Sequence, residues 1–142
     1  MKHEDKGSFR DKHPGVTADP EIAEALRNAS EKGAISCAAA TRLADFLRKD
    51  MATIGMHLDL LNIQLTRCQL GLFGYPQGRI VNAAIAAPPD IERAIRAALR
   101  DGRLPCLDSW EIARRFDVPK MEVAAACEAL KIKVKPCQLG AF

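Results

Sequence analysis

Apolar and polar residues follow one another along this chain with the period of helices, and the pattern is laid down twice. From Pro89 the apolar positions Ile91, Ala94, Ile95, Ala98 and Leu99 recur at spacings of three and four, which is one face of a helix. Ile22, Ala25, Leu26 and Ala29 repeat that face 69 positions earlier. With Asp19–Phe73 placed over Pro88–Phe142, 15 of 55 pairs are identical and no gap is needed. The tetrad Cys-Gln-Leu-Gly closes both copies, at Cys68–Gly71 and Cys137–Gly140. A doubled segment is the simplest source of such self-similarity.

Each copy predicts the same elements. A first helix starts near Pro20 or Pro89, where a proline loses no helical bond. Gly33 and Gly102 are expected to stop it as left-handed caps. A short extended piece follows, Ala34–Cys37 or Arg103–Cys106. The second helix comes next, with Asp108 or Ser109 as its expected cap in the second copy. After a tight turn at Lys49–Met51 or Asp117–Pro119, a third helix covers about Ala52–Leu61 and Lys120–Leu130. Ile63 and Leu65, like Ile132 and Val134, alternate with polar residues, which predicts closing strands over Ile63–Cys68 and Ile132–Cys137. The expected organisation is a polar tail over 1–18, a repeat over 19–73, a linker over 74–87 and a second repeat over 88–142. Its fold class is mostly α with small β wings.

Composition adds little to this and removes several function classes. Aromatic residues are only 5% of the chain, so Ala, Leu and Ile must fill the core, as suits helices. No apolar run reaches the roughly 18 residues of a membrane span. No apolar signal region lies in Met1–Pro20. A reducing, cytoplasmic location is the expectation, with five cysteines as thiols or metal ligands. The net charge of +3 is too small to demand a polyanionic partner. His3 and His13 are read as solvated tail residues, and His57 as a surface or interface residue. No nucleophile elbow, phosphate-binding glycine loop or zinc-protease signature is present, and the chain is expected not to be an enzyme.

Ile112-Ala113, followed by Phe116, Val118 and Val123, is similar to the helix-turn-helix pattern. A small residue there lets two helices cross, and apolar residues pin the second helix down. Leu43-Ala44, Leu47 and Ile54 match in the first copy, but Lys49 stands where the second copy has Val118. With the flanking extended pieces, each copy resembles a winged-helix domain. The resemblance implies two tandem winged-helix-like units and a DNA-binding regulator of transcription, with helix three entering a major groove.

The residues carry that implication unevenly. Helix three offers poor base readers: Thr53, Gly55, Met56, His57 and Asp59 in one copy, Lys120, Glu122, Ala124, Ala125 and Glu128 in the other. The candidate nucleic-acid contacts lie elsewhere in the second copy. They are Arg93, Arg96 and Arg100 along helix one, Arg114 and Arg115 on helix two, Lys120, and the alternating Lys131, Lys133 and Lys135. Such side chains give affinity for phosphate without reading sequence. The second copy carries 10 basic and 8 acidic residues and the first 6 and 7, so the second is the expected partner of DNA. A protein-interaction or metal- and redox-sensing adaptor, acting as a homodimer or on another protein, is the competing reading, because small residues on helix three suit close helix packing.

Cys37 and Cys68 are 31 apart, as are Cys106 and Cys137. A winged-helix arrangement would bring each pair onto neighbouring strands. Three readings stand open: buried structural thiols, a four-thiolate zinc or iron–sulfur site, and a redox disulfide. Gln69 and Gln138 either end a strand beside a core-plugging Leu and Phe, or bond a partner or cofactor.

Overall fold

The computed structural model describes residues 15–84 and 86–141. The tail expectation for 1–18, with His3 and His13, lies mostly outside the described residues, as does the proposed plug Phe142. The described chain is mostly helical, and no described helix is long and apolar enough to cross a membrane. It divides into two compact units, one ending at Arg67 and the other running from Cys68.

In the first unit, α1 (Pro20–Ala29) is followed by β1 (Ala34–Ser36), α2 (Cys37–Leu47), α3 (Met51–Leu60) and β2 (Gln64–Thr66). Asp19 caps α1 by accepting from the amides of Glu21 and Ile22, and Pro20 opens the helix. Ile22, Ala23 and Leu26 form its buried stripe. The Ser36 side chain caps α2 through the Ala39 amide at 3.1 Å, and Asp50 caps α3 through the Thr53 amide at 2.8 Å. The bond to Thr53 holds the Asp50 carboxyl below its ordinary pKa. The three helices pack against one another around Leu26, Ala40, Ala44, Ile54 and Leu58.

In the second unit, α4 (Pro89–Ala98), α5 (Cys106–Phe116) and α6 (Lys120–Leu130) repeat the arrangement. Each of these helices starts 69 residues after its counterpart. The backbone equivalence reaches the turns. Left-handed residues fall at Lys32 and Asp101, Arg48 and Asp117, and Asn62 and Lys131. Ile35 pairs with Leu65 in the parallel β1–β2 ladder, and Leu104 pairs with Val134 in a parallel bridge at the matching place. Ile91, Ile95, Leu104, Ile112, Val123 and Cys127 make the core.

Four sequence expectations need correction. Gly33 and Gly102 do not cap helices: α1 ends at Ala29 and α4 at Ala98. With Lys32 and Asp101 they form two-residue turns of positive φ, closed by backbone bonds between Glu31 and Ala34 and between Arg100 and Arg103. That is the primed hairpin turn that favours Asp-Gly. Helix two starts at Cys37 or Cys106, so Asp108 and Ser109 lie inside α5 rather than capping it. The extended piece does pair with the strand after helix three in the first unit, but no strand forms over 132–137 in the second, where Val134 alone bridges Leu104. His57 is not a surface residue: it is 3% exposed. Its Nε2 accepts from the Asp19 amide at 2.9 Å, and its Nδ1–H donates to the Thr53 carbonyl at 2.8 Å. Those two bonds fix the neutral tautomer and satisfy the ring where water cannot.

The stretch expected to close the first copy, 68–73, falls with the second unit, where Cys68 and Leu70 join the core. The stretch expected to join the copies, 74–87, folds onto α6. The Ala84 amide donates to the Ala125 carbonyl at 3.1 Å, and Arg79 pairs with Glu128. Val81 enters the core, and Met121 lies against the backbone at Gly71.

Candidate nucleic-acid interface

Met121, Ala125 and Glu128 stand at helical spacing on one face of α6, and 71–84 covers that face from within the same unit. Val123, Ala124, Ala126 and Cys127 are buried. The 71–84 segment thus covers part of the outward face of this third helix, on which Glu122 stays exposed and Ala125 and Glu128 are half-buried. Nothing in the apolar pattern of α6 revealed this, because a helix covered on two sides and one open on one side differ only by a few Ala positions.

The predicted cations are distributed in three groups. Arg93, Arg96 and Arg100 are exposed along and after α4, with Arg96 bonded to Glu92 at 2.9 Å. On α5, Arg114 is held by Glu111 at 2.7 Å, which lowers the Glu111 pKa and raises that of Arg114. The Arg115 guanidinium lies 5.5 Å from the centre of the Phe116 ring. Lys120 is turned back onto its own unit, its Nζ 4.6 Å from the centre of the Trp110 ring. A cation engaged over indole is a weaker candidate for phosphate than a solvated one.

The third group is built around the isolated Leu104–Val134 bridge. The Leu104 amide donates to the Lys133 carbonyl at 2.9 Å and the Lys135 amide to the Leu104 carbonyl at 2.8 Å. Leu104 and Val134 are buried, and side chains alternate along extended backbone. Arg103, Lys133 and Lys135 are accordingly exposed at the bridge. Arg100 flanks it through the Asp101–Gly102 turn, and Lys131 caps α6 just before it. None of these five makes an ion pair among the described residues. Arg103 is not among the contacts expected from the sequence. The parallel register with Lys133 is what adds it.

The first unit has Glu31, Ala34, Asn62, Gln64 and Thr66 at those five places, with no cation among them. The backbone is shared and the charge is not.

The cysteines are placed differently from one another. Cys37 heads α2 in the first unit, while Cys68, Cys106 and Cys137 belong to the second. No group of three or more His, Cys, Asp or Glu among the described residues is placed to hold a metal ion. Cys106 heads α5, and its sulfur accepts from Gln138 Nε2 at 3.6 Å. Gln138 is thus spent inside its own unit, a use of the tetrad that the sequence did not suggest. Burial pushes the Cys106 thiol up to about 11, against the two bonds from Gln138, and neighbouring Cys137 and Cys68 add to the rise. Cys127, where the first copy has Leu58, is pushed up to about 12 by burial and by Glu128. Both are protonated at neutral pH and pack as small apolar groups.

No family model, curated protein or solved structure matches this chain.

Proposed function

We propose that the chain is a nucleic-acid-binding protein of tandem helix-turn-helix, winged-helix-like type. Its second unit grips the phosphate backbone of DNA through Arg100, Arg103, Lys131, Lys133 and Lys135. One observation carries the reading: five exposed cations that make no ion pair among the described residues gather on and beside the Leu104–Val134 bridge, at five places where the duplicate unit has no cation. Phosphate contact needs charge and exposure, and both are present. Base reading needs an open helix with Asn, Gln or Arg, and α6 is partly covered and has none of them. The binding is therefore indifferent to base sequence. Arg93, Arg96, Arg114 and Arg115 extend the field from α4 and α5.

Fluorescence anisotropy of labelled duplex DNA across a salt series tests this. Log affinity falls linearly with log salt, by about 0.9 for each phosphate neutralised. Two duplexes of unrelated sequence give the same line. Binding that is weak and flat with salt contradicts the proposal.

A second reading, a protein-interaction module, is favoured by Phe46. This residue is 82% exposed on α2 of the first unit, in the place where the second unit has Arg115. Sedimentation of the chain and of its Phe46→Ser variant separates the two. Self-association lost on substitution supports the protein partner.

A further inference from the structure

We propose that Cys106 and Cys137 are a thiol–disulfide site that ties the head of α5 to the segment following Val134, beside the cationic edge. In the parallel bridge, the Leu104 amide donates to the carbonyl of Lys133, and Leu104 thereby stands opposite Val134. The Cys106 amide donates to the carbonyl of Pro136 at 3.0 Å. That bond sets Cys106, the first residue of α5, against the residue that precedes Cys137. A disulfide spans roughly 4.4–6.8 Å between Cα atoms, so it needs two cysteines on adjoining backbone segments. The bond from Gln138 Nε2 holds the Cys106 sulfur beside the backbone that carries Cys137. No disulfide joins the cysteines in the structure.

Exposure sets the order of events. Cys137 is partly exposed and Cys106 is buried, so a reagent meets Cys137 first. With a small-molecule disulfide such as oxidised glutathione, the Cys137 thiolate attacks one sulfur. The glutathione S–S bond breaks and one glutathione thiol leaves. The Cys106 thiol then gives up its proton, attacks the Cys137 sulfur and expels the second. The two cysteines lose two electrons to the reagent, and their two protons end on two glutathione thiols. The new bond closes the bridged segments just beyond Arg103 and Lys135. The site does not depend on nucleic-acid binding, and its test makes no use of it.

The reduced full-length chain is incubated with oxidised glutathione, alkylated under denaturing conditions, digested and mapped by mass spectrometry. The expected product is a peptide cross-linked between Cys106 and Cys137, with Cys127 alkylated. In Cys137→Ser the cross-link is absent and Cys106 is recovered as an alkylated thiol. A persistent glutathione adduct on Cys137, a cross-link from Cys106 to another cysteine, or both thiols fully alkylated would overturn the proposal.

Discussion

Leu26, Ile35 and Ile54 are buried in the first unit, and Ile95, Leu104 and Val123 take the same places in the second. The left-handed turns and the parallel strand register also coincide. The surfaces do not. Of the ten cations in the second copy only Arg96 has a cationic counterpart, Arg27. Arg114 and Arg115 correspond to Asp45 and Phe46, and Lys120 to Met51. A close-packed interior tolerates few changes of volume, so duplicates keep their cores. Exposed positions are free to diverge, and here the divergence gathered positive charge around one backbone bridge. The comparison separates what maintains the fold from what is available for a partner.

The largest effects should come from the shared cores. Leu26→Ala and Ile95→Ala each remove a fully buried side chain, and each should cost about 2–5 kcal/mol in urea denaturation. Hydrogen exchange should quicken chiefly in the unit that carries the substitution. Equal quickening in both units would mean that they unfold as one.

Next comes the place where the cores differ. His57 corresponds to Ala126, and His57→Ala leaves the Asp19 amide and the Thr53 carbonyl without their ring partner. A loss of about 1–3 kcal/mol is expected from those unmet groups. A neutral result would show that water replaces the ring.

The two tetrad glycines give a finer contrast. Both have positive φ, at 77° and 79°, so alanine at either is strained, by about 1–2 kcal/mol. A Cβ at Gly71 would also lie 2.9 Å from Met121 Cε and 3.2 Å from Val81, whereas one at Gly140 meets nothing within 4 Å. Gly71→Ala should therefore lower the melting temperature more than Gly140→Ala. The reverse order would refute the packing of 71–84 on α6.

The smallest effect at neutral pH belongs to the thiols. Cys106 and Cys127 have pKa values raised in the folded chain, to about 11 and about 12, above the ordinary 9.0. Their contribution to stability is complete below pH 9 and is lost as pH rises through the folded values. Cys127→Ala should flatten the alkaline fall of stability between pH 9 and 12. An unchanged slope would place that thiol in water.

The doubling and the six helices were legible because apolar spacing records burial directly. The turn at Gly33 was not, since a glycine of positive φ serves helix ends and primed turns equally. Lys32, also left-handed, decides between them only in three dimensions. His57 was misplaced because its partner, the Asp19 amide, lies 38 residues away and leaves no local trace. The bond from Gln138 to Cys106 spans 32 residues and is invisible for the same reason. The cationic cluster was half legible: the alternating lysines stood out, while Arg103 joins them only through the Leu104–Val134 bridge.

The claim that the second unit carries the polyanion surface is tested most directly by giving that surface the residues of the first. Arg100→Glu, Arg103→Ala, Lys131→Asn, Lys133→Gln and Lys135→Thr are combined in one chain, with its helical circular dichroism checked against the parent. Duplex affinity is then measured across salt. The account predicts a folded chain whose salt dependence is shallower than the parent's by about 0.9 for each contact removed. A folded variant that binds as tightly and as steeply as the parent would contradict it.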